Sequence, residues 1–376
     1  MADEEEGKPH IIIDNGSYYI KAGFGGDEGQ TTIFRNIIGR MKYKKNNFNF
    51  GCDEKEIFID EEAIAKRGML DIKSPMNRIM VKNWDNMEKI WEYIFKDKLK
   101  VDPSEHNLLI SQPLNNLKIN KEKTTEIMFE TFKTQGLFLA LQPFLSLYAS
   151  GKFTGFIIEM GDGTTQYMPI FDGYIIDDRC ERINIGGKDI TNYMRKILNK
   201  KGFKFERIFE KILSRRIKEE GCYIPISYKG ELPEPFKYKL PDGTFVEIGE
   251  ERIKYPEAFI FNPQLKGIES KGIGEMCNDL IQKCDEGLRK DLYNAIILSG
   301  GNSMLKGLPE RLTKEIKDLA IKSMKEEIKV IASPERKFSV WIGGSILSSI
   351  STFEASWITK IEYEESGVGI IHRKCG

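Results

Sequence analysis

The sequence predicts an α/β protein built from two related domains, each of which opens with a β-hairpin. The length of 376 residues favours two domains over one. One pattern occurs at residues 11–27 and again at 155–174: an apolar strand, an acidic residue, a glycine-containing turn with a hydroxyl residue, and a returning strand. Segments with strand and helix periodicity alternate in both halves, as they do in α/β folds.

The two hairpins correspond closely. The segment 12–17, IIDNGS, parallels the segment 157–164, IIEMGDGT, and both continue into a further glycine-containing segment. Their separation is too large for a solenoid repeat, so the pattern indicates two similar domains.

The other elements support this reading. Apolar residues at helical spacing and closing glycines predict helices. Short buried runs predict strands. The predictions are helices at 86–99, 122–134, 187–202 and 207–221, a strand at 106–116, a strand running into a helix over 137–150, and strand, Gly-Gly turn and helix over 294–316. Surface insertions are expected at 40–56 and 226–245.

Composition narrows the function classes. Lys+Arg and Asp+Glu both number 57, which gives no general attraction to nucleic acid or to anionic membranes. The six cysteines form no C-x-x-C pair, so reduced thiols are expected rather than disulfides or a zinc site. Neither a secretory signal nor an apolar run of ~18 residues is present, which predicts a soluble intracellular protein without a transmembrane segment.

The two turns suit a phosphorylated ligand. Turn amides with the hydroxyls of Ser17 and Thr164 would hold phosphates from two sides, and Asp14 and Asp162 would approach a Mg²⁺ or Ca²⁺ through its waters. The alternative for either turn alone is a plain hairpin, because Asn-Gly and Asp-Gly are common turn pairs.

A third loop and two polar residues complete this hypothesis. Gly300 and Gly301 would let the backbone approach a ligand where a strand meets a helix. Gln142 would orient a water for attack on a terminal phosphate, and Glu159 would help to polarise that water. The alternative for the glycines is an ordinary connection between a strand and a helix. The alternative for Gln142 is a buried amide whose hydrogen bonds are satisfied within the protein.

In sequence order, many segments resemble the actin family over essentially the whole chain. They include DNGS, KAGFGGDE, NWDNMEKIW, IMFETF, LSLYASGKFTG, GDGTTQYMPIFDGY, KYKLPDG, KCDEGLRKDLY, ILSGGNSM, SPERKFSVWIGGSILSSISTF and YEESGVGIIHRKCG. The resemblance implies the actin fold: duplicated ribonuclease-H-like domains, as in hexokinase and Hsp70-type ATPases, with ATP in the interdomain cleft. It implies a first domain of 1–149 plus 339–376 with an inserted subdomain at about 36–74. The second domain would be 150–338 with an inserted subdomain at about 186–268.

The resemblance also assigns site residues. Phosphate and nucleoside contacts carry over to Asp14, Gly16, Ser17, Tyr18, Lys21, Asp162, Gly163, Thr164, Lys218, Glu219, Gly300, Gly301, Met304 and Lys337. Metal roles carry over to Asp14 and Asp162, through waters, and to Gln142. The hydrolytic set is Gln142, Glu159 and Gln166. For Lys218, Glu219 and Lys337, the residues alone favour a solvated charged surface.

Departures from the family pattern concern hydrolysis. Tyr18 stands where the family has glycine, and Glu159 replaces an aspartate. Gln166 and Arg78 replace histidines, and Leu305 replaces an adenine-stacking tyrosine. ATP binding is therefore expected, with at most a slow actin-type ATPase activity.

Other departures concern assembly. The loop 40–56 is longer and more charged than the family loop that docks into the next filament subunit, and 226–238 is shorter. Lys266 occupies a leucine position in the segment 262–274, which matches the hydrophobic plug of the filament. The regions 146–151 and 342–353 keep the small and apolar residues of the partner-binding groove, although core packing explains them equally well.

Three functions follow as hypotheses. The first is a cytoplasmic, cytoskeletal protein that forms, nucleates or joins filaments with itself or with actin in a nucleotide-dependent way. The second is a non-polymerising scaffold subunit with structural ATP, in a cytoplasmic or nuclear complex. The third, a sugar-kinase-like enzyme, is disfavoured by the actin-like C-terminal segments.

Overall fold

The computed structural model describes residues 8–42, 56–228 and 232–375. Within these residues the chain folds into two compact units. The first unit comprises the described residues up to Ala149 and those from Val340 onward, and the second unit comprises Ser150–Ser339. Most of the predicted insertion at 40–56 lies outside the described residues.

The elements alternate along the chain as the sequence pattern predicts. The first unit begins with β1 (Ile11–Asn15), β2 (Tyr19–Phe24), β3 (Thr32–Arg35), β4 (Ile38–Met41), β5 (Ile57–Ile59), α1 (Glu61–Ala65), β6 (Leu70–Lys73), β7 (Met76–Asn77), β8 (Met80–Val81), α2 (Trp84–Tyr93), β9 (Asn107–Gln112), α3 (Lys118–Glu126), β10 (Gly136–Leu141) and α4 (Gln142–Ala149). Helices α2 and α3 continue as single wide turns over Ile94–Leu99 and Ile127–Thr131.

The second unit has the same alternation. Its elements are β11 (Gly155–Met160), β12 (Thr165–Phe171), β13 (Tyr174–Ile175), β14 (Glu181–Ile183), α5 (Gly187–Lys200), α6 (Ile208–Gly221), β15 (Phe236–Lys239), β16 (Phe245–Ile248), α7 (Glu251–Pro256), α8 (Ile273–Lys283), α9 (Glu286–Asn294), β17 (Ile296–Ser299), α10 (Leu308–Leu319) and β18 (Val330–Ile331). The chain ends with α11 (Ser339–Ser348), β19 (Ile358–Thr359), α12 (Lys360–Ser366) and α13 (Ile370–Lys374).

Helix α2 shows how periodicity becomes packing. Met87, Ile90, Trp91 and Ile94, predicted to share one face, are all fully buried in the core of the first unit. The helix starts where the Asn83 side chain accepts a hydrogen bond from the Asn86 backbone at 2.7 Å, a typical N-cap. The predicted helix is confirmed, and its apolar face anchors it to the sheet.

Each unit has a central sheet with a hairpin beside parallel strands. In the first unit the order is β19-β10-β9-β1-β2-β3, with β10, β9 and β1 parallel and the β1–β2 hairpin antiparallel. In the second unit the order is β13-β12-β11-β17-β18, with β11, β17 and β18 parallel and the β11–β12 hairpin antiparallel. The predicted duplication is therefore present in strand pairing as well as in sequence.

Candidate functional site

The two hairpins share one register. Asp14 lies opposite Lys21 across β1 and β2, and Glu159 lies opposite Gln166 across β11 and β12. Turns of the same length close both hairpins. Asp14 and Glu159 are therefore equivalent positions, as the sequence comparison predicted.

The same register aligns the residues of the two turns. Ser17 occupies the position of Asp162, and Tyr18 occupies the position of Gly163. Consequently, Asp14 and Asp162 are not equivalent by register, although both were predicted to approach a cation. The aromatic residue in one turn stands where the other turn has glycine.

Asp14 sits at the centre of a polar network in the first unit. Its carboxylate is buried and accepts hydrogen bonds from Lys21 Nζ at 2.5 Å and from Ser111 Oγ at 2.8 Å. Ser111 Oγ also accepts from the Asn15 backbone N–H at 3.0 Å and from Gln142 Nε2 at 3.4 Å. One hydroxyl thus joins the acid, the turn and Gln142. Sequence reasoning missed Ser111, because its only signal was its place at the end of a strand.

The first turn is tightly constrained. A Cβ on Gly16 would overlap the Tyr19 carbonyl oxygen, so this position requires glycine. The Ser17 hydroxyl donates to the Arg78 carbonyl oxygen at 2.7 Å. The rings of Tyr18 and Tyr19 meet edge to face, with centroids 4.6 Å apart. The Ser17 proton is therefore directed at the backbone of the protein in this conformation.

Glu159 forms the corresponding centre in the second unit. Gln166 is fully buried and its Nε2 donates to Glu159 Oε2 at 2.9 Å. Gly300 has a φ of 87° and approaches so closely that a Cβ there would lie 2.6 Å from Glu159 Oε1. The predicted third loop therefore does contact the second hairpin, and only glycine allows this approach.

Asp162 obtains its cationic partner from a helix. Arg215 of α6 forms an ion pair with the Asp162 carboxylate and lies 3.8 Å from the Glu219 carboxylate. Thr164 is buried, and its carbonyl oxygen accepts a hydrogen bond from the Gly161 N–H at 2.9 Å, closing the turn. Sequence reasoning missed Arg215 because it lies 53 positions from its partner.

A buried polar cluster, which we call the recess because Gly187 has no side chain there, lies beside Asp162. A Cβ on Gly187 would be 3.2 Å from both Lys218 Nζ and Asn302 Oδ1, and 3.4 Å from Asp162 Oδ1. Lys218 is buried and donates one long hydrogen bond, 3.4 Å, to the Gly187 carbonyl oxygen. Burial and the nearby Arg215 charge lower the pKa of Lys218 to about 8. The buried Asn302 Oδ1 has no hydrogen-bond partner among the described residues.

The third loop is held in place by a residue that the sequence did not single out, and the remaining predicted nucleoside residues differ in exposure. Arg336 holds this loop: its carbonyl oxygen accepts from the Gly300 N–H at 2.9 Å, and its guanidinium donates to the Ser303 carbonyl oxygen at 3.1 Å. Lys337 follows it directly and is half-buried. Met304 is 38% exposed. Of the others, Glu219 and Gly301 are exposed and Leu305 is buried.

These features fit a polyanionic ligand with a divalent cation. A phosphate beside Lys218 would offset the desolvation of its ammonium, and a hydroxyl or bound water would satisfy Asn302. Asp14 and Asp162 each already carry a cationic partner, which suits contact with a metal through its waters. Among the described residues, no group of three or more His, Cys, Asp or Glu side chains is placed to bind a metal ion directly.

Two further predicted surfaces are described within single units. In the first unit, Gly343 packs against the Leu145 backbone, while Ile346 and Ile350 are 42% and 36% exposed. In the second unit, Lys266 Nζ donates to Tyr193 Oη at 2.9 Å, while the adjacent Leu265 is 62% exposed. No helix formed by the described residues has the length and apolar character needed to span a membrane.

Comparison with known families agrees with this architecture. The chain matches the sequence model of the family described as Actin over residues 5–376, which is essentially its whole length. Proteins of this family generally bind ATP or ADP with a divalent cation. The mixed α/β units with their duplicated hairpins fit the actin fold, and the chain belongs to the actin family.

Proposed function

We propose that this protein binds ATP or ADP with Mg²⁺ or Ca²⁺ and acts as an actin-like, filament-associated protein. The phosphate-binding residues would be Asp14, Gly16, Ser17, Tyr18 and Lys21 in the first unit, and Asp162, Gly163 and Thr164 in the second. The resemblance assigns Lys218, Glu219, Met304 and Lys337 to the nucleoside side. Because Lys218 also lies beside the Asp162 turn, its ammonium would attract the phosphates as well. The cation would supply charge neutralisation at the phosphates when bound.

The recess of Lys218, Asn302 and Gly187 carries this proposal. The buried ammonium of Lys218 makes one long hydrogen bond, and the Asp162 and Glu219 carboxylates that act on it are shared with Arg215. A further anion beside it would therefore offset its desolvation. The recess opens beside the Asp162 turn, where the resemblance places the phosphates. A ligand that supplies negative charge here therefore gains more than it would at an exposed lysine.

Hydrolysis would be slow. Gln142 is linked through Ser111 to Asp14, so it would hold a water in a fixed orientation relative to that acid. Glu159 is hydrogen-bonded to Gln166, whose amide cannot take up a proton as an imidazole does. Gln142 would still position the attacking water, whereas Gln166, in place of the family's histidine, would not accept its proton.

Family membership supports the proposed filament role, because proteins of this family tend to self-associate or to bind actin-binding partners. Partners would bind at residues 146–151 and 342–353, and the protein would act in the cytoplasmic cytoskeleton. The contact of Lys266 with Tyr193 favours weak or heterotypic assembly, because burying this lysine in a neighbouring subunit would break the contact and desolvate an ammonium. A non-polymerising scaffold with structural ATP is the second candidate.

Nucleotide binding is tested by melting the protein with and without Mg-ATP. We expect a rise in melting temperature that grows with ligand concentration, because a ligand specific for the folded state stabilises it by mass action. Asn302→Leu should reduce this rise, whereas Lys283→Gln, an exposed change elsewhere in the second unit, should leave it intact. Identical melting of wild type with and without ATP would refute the proposed site.

Assembly is tested by sedimentation of the Mg-ATP-loaded protein alone and mixed with actin, with phosphate release followed in the same samples. Sedimentation alone supports a self-polymer, and sedimentation only with actin supports a filament-joining protein. Material that stays soluble in both cases supports the scaffold. Phosphate release as fast as that of actin would contradict the slow-hydrolysis proposal.

A further inference from the structure

Basic residues are concentrated on two neighbouring helices of the second unit. Residues 186–221 contain eleven Lys or Arg and five Asp or Glu, in a chain whose net charge is zero. This segment comprises α5 and α6, which pack on the unit's core through Ile190, Met194 and Ile217. The excess charge therefore lies on the outer surfaces of both helices.

Helix α6 arranges its cations in a row. Arg207, Lys211, Arg215 and Lys218 follow one another at intervals of four, four and three residues, which places them on one face. Their exposure falls along the row: Arg207 and Lys211 are exposed, Arg215 is 9% exposed and Lys218 is 3% exposed. The row thus runs from the surface to the recess beside Asp162.

Helix α5 adds charge next to this row. Helix α5 packs against α6, which brings Lys188 and Arg195 onto the same side of the unit as Lys211. Partial desolvation and, after it, the charges of Arg195 and Lys188 lower the pKa of Lys211. Among the described residues, no carboxylate lies within ion-pair distance of Arg195, Arg207 or Lys211. Asp162 and Glu219 are paired with Arg215 instead. Glu206 and Glu210, which adjoin Arg207 and Lys211 in sequence, reduce the local excess of positive charge without forming ion pairs with them in the described part of the chain.

We propose that Arg195, Arg207 and Lys211, the basic stripe, capture the polyphosphate of an incoming nucleotide and guide it along α6 to Lys218. This inference rests on the proposed nucleotide binding. A surface of one charge that leads into a binding site raises the local concentration of an oppositely charged ligand and accelerates its association. The basic stripe would therefore increase the association rate constant of the nucleotide, while the recess would determine its dissociation rate constant.

A nucleotide fits this surface better than a membrane does. Residues 186–221 expose no large apolar side chain among those described, so nothing here would insert into lipid. The decreasing exposure of the row also points to a ligand small enough to enter the recess. An acidic polypeptide would neutralise the outer cations only, and it becomes an outcome of the experiment.

The experiment measures association of a fluorescent ATP analogue with nucleotide-stripped protein by stopped flow. The variant carries Arg195→Gln, Arg207→Gln and Lys211→Gln, and melting establishes that it is folded. At low salt we expect its association rate constant to fall about tenfold with an unchanged dissociation rate. At ~1 M salt, where the screening length is ~3 Å, the two proteins should associate equally fast.

A matched control removes three exposed lysines elsewhere in the second unit, Lys283→Gln, Lys322→Gln and Lys329→Gln. It should keep the wild-type rate and salt dependence. An equal loss in the control, or an unchanged rate in the stripe variant, would overturn the inference. A stripe variant that binds nucleotide normally but no longer binds a polyglutamate peptide would assign the stripe to an acidic partner. If the wild type binds no nucleotide at all, the proposed function fails first.

Discussion

The two hairpins share register and turn length, yet they neutralise their acids in different ways. In the first unit, Asp14 and Lys21 are cross-strand partners, so acid and cation belong to the same hairpin. In the second unit, the cross-strand partner of Glu159 is the uncharged Gln166, and the cation beside the turn is Arg215 from α6. In the first hairpin the acid is neutralised by a lysine of the same hairpin. In the second, the acid of the turn is neutralised by an arginine of α6, a helix that follows the hairpin in the chain.

Because Asp14 and Asp162 have different cationic partners, their removal should change the free energy of unfolding by different amounts. Removing Asp14 would leave Lys21 buried and without its carboxylate. Removing Asp162 would leave Arg215 with the carboxylate of Glu219, 3.8 Å away. The first acid is therefore a structural requirement, and the second is freer to serve a ligand.

The largest expected effect comes from Asp14→Ala. Breaking a buried ion pair by removing one partner costs about 3–5 kcal/mol, so the free energy of unfolding without nucleotide should fall by that amount. Asp162→Ala should cost less than Asp14→Ala, because Arg215 keeps the half-exposed Glu219 carboxylate 3.8 Å away, whereas Lys21 loses the carboxylate with which it is paired. Denaturant unfolding of nucleotide-free protein measures both.

A double variant separates charge from packing. Asp14→Ala with Lys21→Met removes both charges and should recover much of the stability lost in Asp14→Ala, since no uncompensated ammonium remains. The two single variants could instead be equally destabilised, and the double variant could show no recovery. That result would contradict the proposal that only the first acid is required for stability.

Local pattern was enough to predict the hairpins and most helices. The repeat of apolar strand, acid and glycine predicted that Asp14 and Glu159 are equivalent, and the strand register confirms it. Helical spacing predicted the buried face of α2, including Trp91. These features depend on neighbours within a few residues, which is why sequence periodicity reveals them.

The partners of the acids could not be predicted in this way. Ser111 lies 97 positions from Asp14, and Arg215 lies 53 positions from Asp162. A lone serine at a strand end and an arginine on a charged helix look like ordinary surface residues until the chain is folded. The family resemblance predicted Lys218 as a site residue. The Asn302 side-chain oxygen, which has no hydrogen-bond partner among the described residues, could be recognised only in the folded structure.

The second-largest expected effect is a pH dependence of stability that arises from one of two buried lysines, Lys21 in the first unit and Lys218 in the second. Lys21 has a carboxylate partner, whereas Lys218 is buried with a pKa lowered from 10.5 to about 8. The folded state therefore binds this proton less tightly than the unfolded state does. Without nucleotide, Lys218 alone should add about 3 kcal/mol of stability between pH 8 and 10.5. The buried and half-buried cysteines, whose pKa values burial raises, oppose this gain above about pH 9, so the lysine contribution is read from the difference between wild type and a variant.

Lys218→Met tests this. At pH 7 the nucleotide-free variant should be more stable than wild type, and this advantage should shrink between pH 8 and 10.5 as the wild-type lysine loses its proton. Stabilisation of the wild type by Mg-ATP should weaken above pH 8, because the neutral amine no longer attracts phosphate. Lys21→Met is the matched comparison and should destabilise at pH 7, since it strands the Asp14 carboxylate. A Lys218→Met variant less stable than wild type without nucleotide would contradict the assignment.

The smallest expected effect tests the one turn position where the hairpins differ most. Tyr18→Gly places in the first turn the residue that the second turn has at Gly163. Loss of the ring contact with Tyr19 should lower the free energy of unfolding by about 1 kcal/mol. Greater backbone freedom should let the turn approach phosphate more closely, so stabilisation by Mg-ATP should increase. Tyr18→Ala removes the same ring but keeps a Cβ, and it should lose stability without this gain. If melting with Mg-ATP shows equal gains for both variants, the side chain rather than the backbone limits how the first turn holds phosphate.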